Sequence, residues 1–306
     1  MSKSASSGMQ DRPSLKTLER RAKAILKARP AYKEMVDFYL NVFRKQIEWR
    51  DRLVVEPETV SDQQRKECMK QGQPLIESFD PGIGTESLTD LWAEMKTIFR
   101  RGNEVLREAI EKIDTAEDAG DLSPANWLLE QRADRYDAVA DTARKIEVEE
   151  TVLATLTRAT TFPHWEEVAR AWLSQDLVDR WKRFRCPTCG GPPGLAENRK
   201  QSCSQEGLTA ATRRFMHCSF CGSDWAVPGL DCPSCGSTKS GDAKYYFATE
   251  EPDLRIDFCK SCKHYVIVVD GEKVAGPVHV GLELLTAAHL DTIAQEKDLS
   301  PLELCA

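Results

Sequence analysis

The 306-residue sequence has no long apolar run and no apolar segment near its start. Its longest strand-like apolar stretch, HYVIVV, is far shorter than the roughly 18 residues that a membrane-spanning helix needs. The opening MSKSASSGMQDRPS is polar, which predicts a disordered tail over residues 1–13 rather than a secretory signal. We therefore expect a cytoplasmic protein without stable membrane insertion.

Motifs of catalysis are equally scarce in this sequence. It contains no phosphate-binding loop, nucleophile elbow or His-Glu-x-x-His pattern, and His164 stands alone, so we expect no enzymatic activity. The net charge of −7 argues against a nucleic-acid-binding protein. A basic run permits contact with an acidic partner, but the solvated end of a helix is the favoured interpretation. This run comprises Arg180, Lys182, Arg183 and Arg185.

Cysteine, in contrast, is abundant, with eleven residues in the chain. In a reducing compartment, clustered Cys-x-x-Cys pairs indicate metal or redox chemistry rather than a disulfide framework. Of the three unpaired cysteines, we interpret Cys68 as an ordinary free thiol and Cys203 as incidental, and Cys305 is left over. The four pairs are Cys186/Cys189, Cys218/Cys221, Cys232/Cys235 and Cys259/Cys262.

These pairs divide the sequence into a helical part and a cysteine-rich part, which together predict an α+β fold. Residues 14–184 have helical periodicity and are expected to form a helical N-terminal domain. Further on, glycine, proline and serine become dense and short β-rich runs appear. We expect one four-cysteine metal module at 185–229, a second at 230–276, and a C-terminal helix with a tail over 277–306.

Within the helical part, three segments give the clearest predictions. SLTDLWAEMKTIFRRGNEVLREAIEKI is expected to form one helix, and further helices are expected over ANWLLEQRADRYDAVADTARKIEVEETVLATLTRAT and PHWEEVARAWLSQDLVDRWKRF. Trp165 and Trp172 lie two turns apart on one side of the last helix. Together with Trp181 they indicate a packed helix face rather than a cofactor-binding motif.

Cys-x-x-Cys followed by glycine is typical of a metal-binding knuckle, a tight turn that brings two thiolates to one ion. The residue after the second cysteine needs a positive φ, which glycine adopts at little cost. Gly190, Gly222 and Gly236 occupy this position in the first three knuckles, whereas the fourth has Lys263. The fourth knuckle is therefore the least regular.

A repeat within the cysteine-rich part predicts how the knuckles pair. CPTCG and CPSCG open its two halves, and Arg214 and Arg255 each stand four positions before the next knuckle. Gaps of 28 and 23 residues between the knuckles of each half leave room for a hairpin or meander. A site formed by the second and third knuckles, or a cross-braced arrangement, is also compatible with the spacing. The favoured sequential pairing assigns Cys186, Cys189, Cys218 and Cys221 to one ion and Cys232, Cys235, Cys259 and Cys262 to the other.

The chemistry of four thiolates leaves the metal open. Sites with four cysteines are most often closed structural zinc sites, which have no free position to activate water. Iron in the same cage gives a rubredoxin-like redox centre, and ligand geometry does not separate the two metals. His217, beside Cys218, is a conceivable substitute ligand, although eight cysteines already complete two sites.

The order CPTCGGPP, RRFMHCSFCGSDW, CPSCGS with KYYF, and RIDFCKSCKHYV resembles the formate dehydrogenase accessory protein family, FdhE. The resemblance covers residues 180–295 and is loose in the helical part. It implies tandem rubredoxin-type or zinc-ribbon modules beside a helical domain, with iron associated with the family. It further implies a cytoplasmic maturation factor that binds the catalytic subunit of a respiratory formate dehydrogenase.

On this interpretation the metal modules and the groove beside the helical part recognise the client subunit. Two other classes remain open: a rubredoxin-like electron-transfer or thiol-redox protein, and a nucleic-acid-binding zinc-ribbon protein. The candidate client contacts have at least as good a claim to a role in stabilising the knuckles. They are Arg214, Tyr245, Tyr246, Arg255 and Tyr265.

Overall fold

Among the described residues, nine α-helices precede the first strand and two follow the sixth, and this segregation of helices and strands confirms the predicted α+β fold class. The computed structural model describes residues 12–131, 136–201, 211–227, 232–249, 251–274 and 276–302. Cys203, Cys305 and residues 1–11 of the predicted tail lie outside these ranges. Within them, no helix has both the length and the apolar character needed to cross a membrane.

The helical part contains nine α-helices among the described residues. They are α1 (Leu15–Ala28), α2 (Lys33–Arg50), α3 (Asp62–Gln71), α4 (Thr85–Phe99), α5 (Glu104–Asp118), α6 (Pro124–Glu130), α7 (Tyr136–Lys145), α8 (Glu150–Trp172) and α9 (Gln175–Arg180). The prediction of a single helix from SLTDLW to REAIEKI is wrong, because the helix is interrupted between α4 and α5. Asn103 starts α5 there by accepting a hydrogen bond from the Leu106 amide at 3.0 Å.

Two other helix boundaries also differ from the predicted ones. The segment from ANWLLE to LTRAT forms α6, α7 and the first half of α8 rather than one helix. Helix α8 then continues through Pro163, where a new helix was predicted to begin. This helix is buried on several sides, so packing from its neighbours stabilises it across the proline.

Seven strands form one sheet within the described residues, in the order β3-β2-β1-β6-β5-β4, with β7 beside β6. They are β1 (Pro193–Gln201), β2 (Ala211–Cys218), β3 (Asp224–Val227), β4 (Ala243–Phe247), β5 (Leu254–Cys259), β6 (His264–Asp270) and β7 (Ser300–Pro301). Strands β1 to β3 pair antiparallel, and so do β4 to β6. We call β1–β3 with its two knuckles the first unit, and β4–β6 with its two knuckles the second unit.

The two units join through a parallel pair between β1 and β6, in which Ala196 lies opposite Val268. Both predicted metal modules therefore contribute to a single sheet. Their predicted boundaries, and that of the helical domain, stay predictions. Strand β6 is buried on both faces from Tyr265 to Val269, which agrees with its continuous apolar sequence.

The sheet is attached to the helices by two apolar cores. One joins the indoles of Trp165, Trp172 and Trp181 to the strands of the first unit and to its four cysteines. The other packs the second unit against the C-terminal segment. That segment, predicted as one helix, forms α10 (Val280–Thr286), α11 (Ala288–Gln295) and β7.

Candidate metal centres

The first four-sulfur group lies in the core between helices and sheet. Cys186 and Cys189 precede β1, whereas Cys218 ends β2 and Cys221 follows it. The Sγ atoms of Cys186 and Cys221 are 3.5 Å apart, as are those of Cys189 and Cys218. All four sulfur ligand atoms lie within 4.8 Å of one another. A tetrahedral ion bound at about 2.3 Å would place its sulfurs about 3.8 Å apart, so the group fits one ion.

The two knuckles of this group have the same backbone hydrogen bonds. The Gly190 amide donates to the Cys186 carbonyl at 3.0 Å, and the Gly222 amide donates to the Cys218 carbonyl at 3.0 Å. The two glycines have φ values of 77° and 70°. This is the left-handed conformation predicted for the position after each second cysteine, where a side chain would be strained.

The second four-sulfur group is formed by the second unit and is closer to the surface. The Sγ atoms of Cys232 and Cys262 are 3.6 Å apart, and those of Cys235 and Cys259 are 3.8 Å apart. These sulfurs also lie within 4.8 Å of one another. Cys259 is buried, but Cys235 is exposed and the other two are partly exposed. The geometry of the second group therefore suits one ion as well as that of the first group does. Solvent has more access to the second group.

The fourth knuckle adopts the same turn without a glycine. Lys263 has a φ of 64°, and its amide donates to the Cys259 carbonyl at 2.9 Å. Its carbonyl in turn accepts a hydrogen bond from the Ser300 amide at 3.0 Å, where β7 begins. Pairing with β7 therefore helps to hold a conformation that costs a non-glycine residue about 1–2 kcal/mol.

Asp242 connects the two knuckles of the second group. Its Oδ2 accepts hydrogen bonds from Ser237 Oγ at 2.5 Å and from Ser261 Oγ at 2.7 Å. Ser237 follows the third knuckle and Ser261 lies within the fourth. These hydrogen bonds lower the pKa of the Asp242 carboxyl. The carboxylate thus holds both knuckles at the surface, where little apolar packing is present to do so.

Burial and the neighbouring sulfurs oppose deprotonation of all four thiols in a group. Burial raises the pKa of Cys189 and Cys221 in the first group well above its usual value, and it raises the pKa of Cys232 and Cys262 in the second. Four adjacent thiolates without a cation would repel one another strongly. A divalent or trivalent metal ion reverses this balance by binding the thiolate form. Each group could therefore hold a metal ion as a four-thiolate site.

His217, the conceivable substitute ligand, lies in a buried charged network and is not part of the four-sulfur group. Its Nε2 lies 2.8 Å from Glu197 Oε2, and Arg199 contacts both Glu197 at 2.7 Å and Asp224 at 2.6 Å. Glu197, His217 and Asp224 are each at most 3% exposed. Sequence reasoning missed this buried charged network, because its members come from three different strands.

A second feature missed from the sequence is the support of the first knuckle by the segment after α3. The Leu75 amide donates to the Pro187 carbonyl at 2.9 Å, and the Ile76 amide donates to the Thr188 carbonyl at 3.0 Å. Pro74 also lies close to Gly190. The polar segment before Pro74 therefore leads into a direct contact with the first group.

The other residues singled out from the sequence are buried or paired with neighbouring side chains. His164 is buried with its Nε2 3.0 Å from Ser87 Oγ. In the basic run, Arg180 pairs with Asp176 and Arg185 pairs with Glu77, both at 2.9 Å. Cys68 is buried in α3, where burial raises its thiol pKa.

The candidate client contacts divide into buried and exposed residues. Tyr265 is buried and donates to Asp291 Oδ1 at 2.7 Å, and Arg214 pairs with Asp257. Tyr245, in contrast, is 60% exposed. A cavity of about 1060 Å³ lies among α2, α4, α5 and α8, and no cysteine lines it.

Comparison with known proteins supports one family. An FdhE homolog from Aquifex aeolicus is 30% identical over 125 residues, covering 41% of this chain and 42% of that relative. One from Haemophilus influenzae is 28% identical over 192 residues, covering 62% of this chain and 56% of the relative. The chain therefore matches 42% and 56% of the length of these two curated relatives. No family model matches the sequence.

The fold gives a more extensive likeness. The crystal structure of the FdhE protein from Pseudomonas aeruginosa superimposes with a TM-score of 0.61 over 96% of both chains, at 18% identity. The chain resembles the FdhE proteins. This confirms the resemblance predicted from the cysteine motifs, and the FdhE fold accounts for the helical part as well as the cysteine-rich sheet.

Proposed function

We propose that this chain is a cytoplasmic maturation factor for a respiratory formate dehydrogenase, and that it acts by binding the catalytic subunit rather than as an enzyme. The observation that carries the proposal is the pair of four-sulfur groups in repeated sheet units beside a helical body. The FdhE resemblance supplies the client class. The exposed edge of the second unit offers a surface on which a client can bind.

The proposal includes the eight cysteines as ligands of two ions, either iron or zinc. The buried first group would hold the sheet against the tryptophan-rich face of the helices. The second would order the surface unit that carries the exposed strand β4. Because a bound ion stabilises the folded site and not the unfolded chain, loss of the ion should loosen the surface around it.

The test is capture of the purified catalytic subunit by the purified, metal-loaded chain. Wild-type protein should bind it, and Cys259→Ser should bind less well while the helices remain folded by circular dichroism. A Cys68→Ser variant serves as the matched control, because Cys68 lies outside both four-sulfur groups. Undiminished capture by a variant with both groups disrupted would argue against the metal modules as the recognition element.

An electron-transfer or thiol-redox role is the second candidate, favoured by the exposure of Cys235 in the second group. A metal site with an exposed sulfur allows close approach by a redox partner. This function requires red, iron-bearing protein with a reversible one-electron couple, or a reactive thiol. Metal analysis and an absorption spectrum of anaerobically purified protein separate it from a colourless zinc protein.

A further inference from the structure

The two units of the sheet correspond strand by strand, and the correspondence can be counted from their cysteines. Met216 stands two positions before Cys218 and pairs with Ala196 of β1. Asp257 stands two positions before Cys259 and pairs with Tyr245 of β4. Counted from these cysteines, β1 residues 196–198 are therefore equivalent to β4 residues 245–247.

In the first unit, these three positions carry the junction with another strand. Ala196, Glu197 and Asn198 pair in parallel with β6 at Val268, Val269 and Asp270. In the second unit, the corresponding residues Tyr245, Tyr246 and Phe247 pair with β5 alone among the described residues. The second unit therefore repeats a strand-binding edge and leaves it open.

The side chains at this edge are large, apolar and exposed. Tyr245 is 60% exposed, Tyr246 39% and Phe247 65%, whereas Ala196 is fully buried at the equivalent place beneath the helices. An exposed aromatic edge strand invites pairing with another chain, and proteins usually avoid one. The three adjacent aromatic residues thus point to an occupant that covers them.

The backbone at the edge is also suited to pairing. The Lys260 amide donates to the Asp242 carbonyl at 2.8 Å, one step before Ala243 meets Cys259. Because hydrogen-bonded and non-hydrogen-bonded pairs alternate in an antiparallel ladder, the amides and carbonyls of Tyr245 and Phe247 point away from β5. At the equivalent position in β1, the Asn198 carbonyl accepts a hydrogen bond from the Gly271 amide.

Strand β3 of a second copy is a poor occupant. The strand that would extend the sheet in the same way is β3, which corresponds to β6. Three of its four residues, Asp224, Trp225 and Ala226, are at most 3% exposed. Since β3 is buried within its own chain, it cannot reach β4 of another copy.

Charge at the edge indicates the chemistry of the occupant. Residues 237–260 contain four cations and five carboxylates, because the loop between β4 and β5 adds Glu250, Glu251 and Asp253. The described carboxylates are already engaged. Asp242 accepts hydrogen bonds from two serines, and Asp257 pairs with Arg214 and Arg255. Glu251 and Asp253 pair with Arg29 and Arg21. Among the described residues, no carboxylate pairs with Lys239, Lys244 or Lys260, so these cations can face an acidic occupant. The guanidinium of Arg255 also lies 5.5 Å from the centre of the Tyr245 ring.

We propose that the open edge of β4 at residues 245–247 binds an extended, apolar and acidic segment of the client polypeptide as an additional parallel strand. The segment occupies the position that β6 occupies beside β1. Its backbone pairs with Tyr245 and Phe247, its apolar side chains contact the aromatic rings, and its carboxylates face the cations. This inference rests on the proposed function, because the client there is the formate dehydrogenase catalytic subunit.

Three variants test the edge with that purified subunit as the probe. Tyr245→Pro removes an outward amide without removing a β4–β5 hydrogen bond, and Tyr245→Ala removes the ring alone. Phe247→Glu removes the ring and places a negative charge at the edge, which repels the carboxylates of the segment. We expect Tyr245→Pro and Phe247→Glu to weaken binding at least about tenfold, and Tyr245→Ala to weaken it less. Val54→Glu, at a site 79% exposed and elsewhere on the surface, is the charge-matched control and should bind as wild type does.

Unchanged melting temperature and metal content must accompany the loss of binding. Hydrogen exchange gives an independent measure, in which the amides of Tyr245 and Phe247 become protected when the subunit binds. If wild type and the β4 variants bind equally, the edge proposal is overturned and the proposed function stands. If wild type does not bind the subunit, the edge proposal and the proposed function both fail. A dimer that Tyr245→Pro converts to monomer would show that a second copy is the occupant, and so overturn this proposal.

Discussion

Gln46 donates a side-chain hydrogen bond to the carbonyl of Ala159, with 2.9 Å between Nε2 and the oxygen. Ala159 lies four residues before Pro163, whose missing amide would otherwise donate to this carbonyl within the helix. The Gln46 side chain of α2 therefore replaces a hydrogen bond that the proline removes from α8. This replacement explains how α8 continues through Pro163 in a buried setting.

Replacing Gln46 with leucine should leave the Ala159 carbonyl buried without a partner. We expect Gln46→Leu to lower the free energy of unfolding by about 1–3 kcal/mol, measured by urea denaturation. Introducing Pro163→Ala in the same chain restores the helical amide and should make the Gln46 substitution less costly. Equal costs of Gln46→Leu with proline and with alanine at 163 would contradict this explanation.

The knuckles and their pairing could be predicted from sequence because their chemistry is local and repeated. Two intervening residues and a following glycine define each turn, and the arginines at 214 and 255 mark the duplication. The structure groups the eight sulfurs as that repeat indicates. Their role as metal ligands stays a prediction, since geometry alone does not identify an ion.

The remaining features depend on contacts between distant segments, which local patterns do not contain. The parallel pair of β1 and β6 joins strands about 70 residues apart and leaves no signal in either strand. The Gln46 contact that carries α8 past Pro163 is equally remote in sequence. Glu197 and His217 look like surface residues in a strand until the covering helices are known.

The glycines after the second and third knuckles offer a test of backbone strain against crowding. Gly222 and Gly236 have nearly equal φ values of 70° and 69°. A methyl group at Gly222 would lie 3.3 Å from Glu166 Cγ, whereas one at Gly236 would meet no atom within 4 Å. We expect Gly236→Ala to cost about 1–2 kcal/mol from its φ alone, and Gly222→Ala to cost more. Thermal unfolding of the two metal-loaded variants measures this difference. A lower melting temperature for Gly236→Ala than for Gly222→Ala would refute the expected order.

Burial of His164 predicts a contribution to the pH dependence of stability. Burial lowers the pKa of His164 to about 4, below the value of about 6.5 in an unfolded chain. Between these values the unfolded state binds more protons, so stability is complete above about pH 6.5 and decreases as the pH falls towards 4.

His164→Gln removes this titration and keeps a polar partner for Ser87. The stability advantage of wild type over the variant should shrink by up to about 3 kcal/mol between pH 7 and pH 4, measured by urea denaturation. Any release of metal at low pH affects both proteins and cancels in the difference. Parallel stability curves over this range would rule out His164 as a contributor.

Cys235 and Cys189 occupy equivalent knuckle positions but differ in access to solvent. Cys235 is exposed, whereas Cys189 is 4% exposed. A chelator must reach a ligand or the ion, so we expect the second site to release its metal at least about tenfold faster than the first, which corresponds to a barrier difference of about 1.4 kcal/mol.

Cys235→Ser should halve the metal content and leave the helices folded. Cys189→Ser should also lower the melting temperature, because its site lies in the shared core. The expectation is contradicted if wild type releases both ions at the same rate and Cys235→Ser releases its remaining ion at that rate too. Burial of the sulfurs would then not control access to the ion.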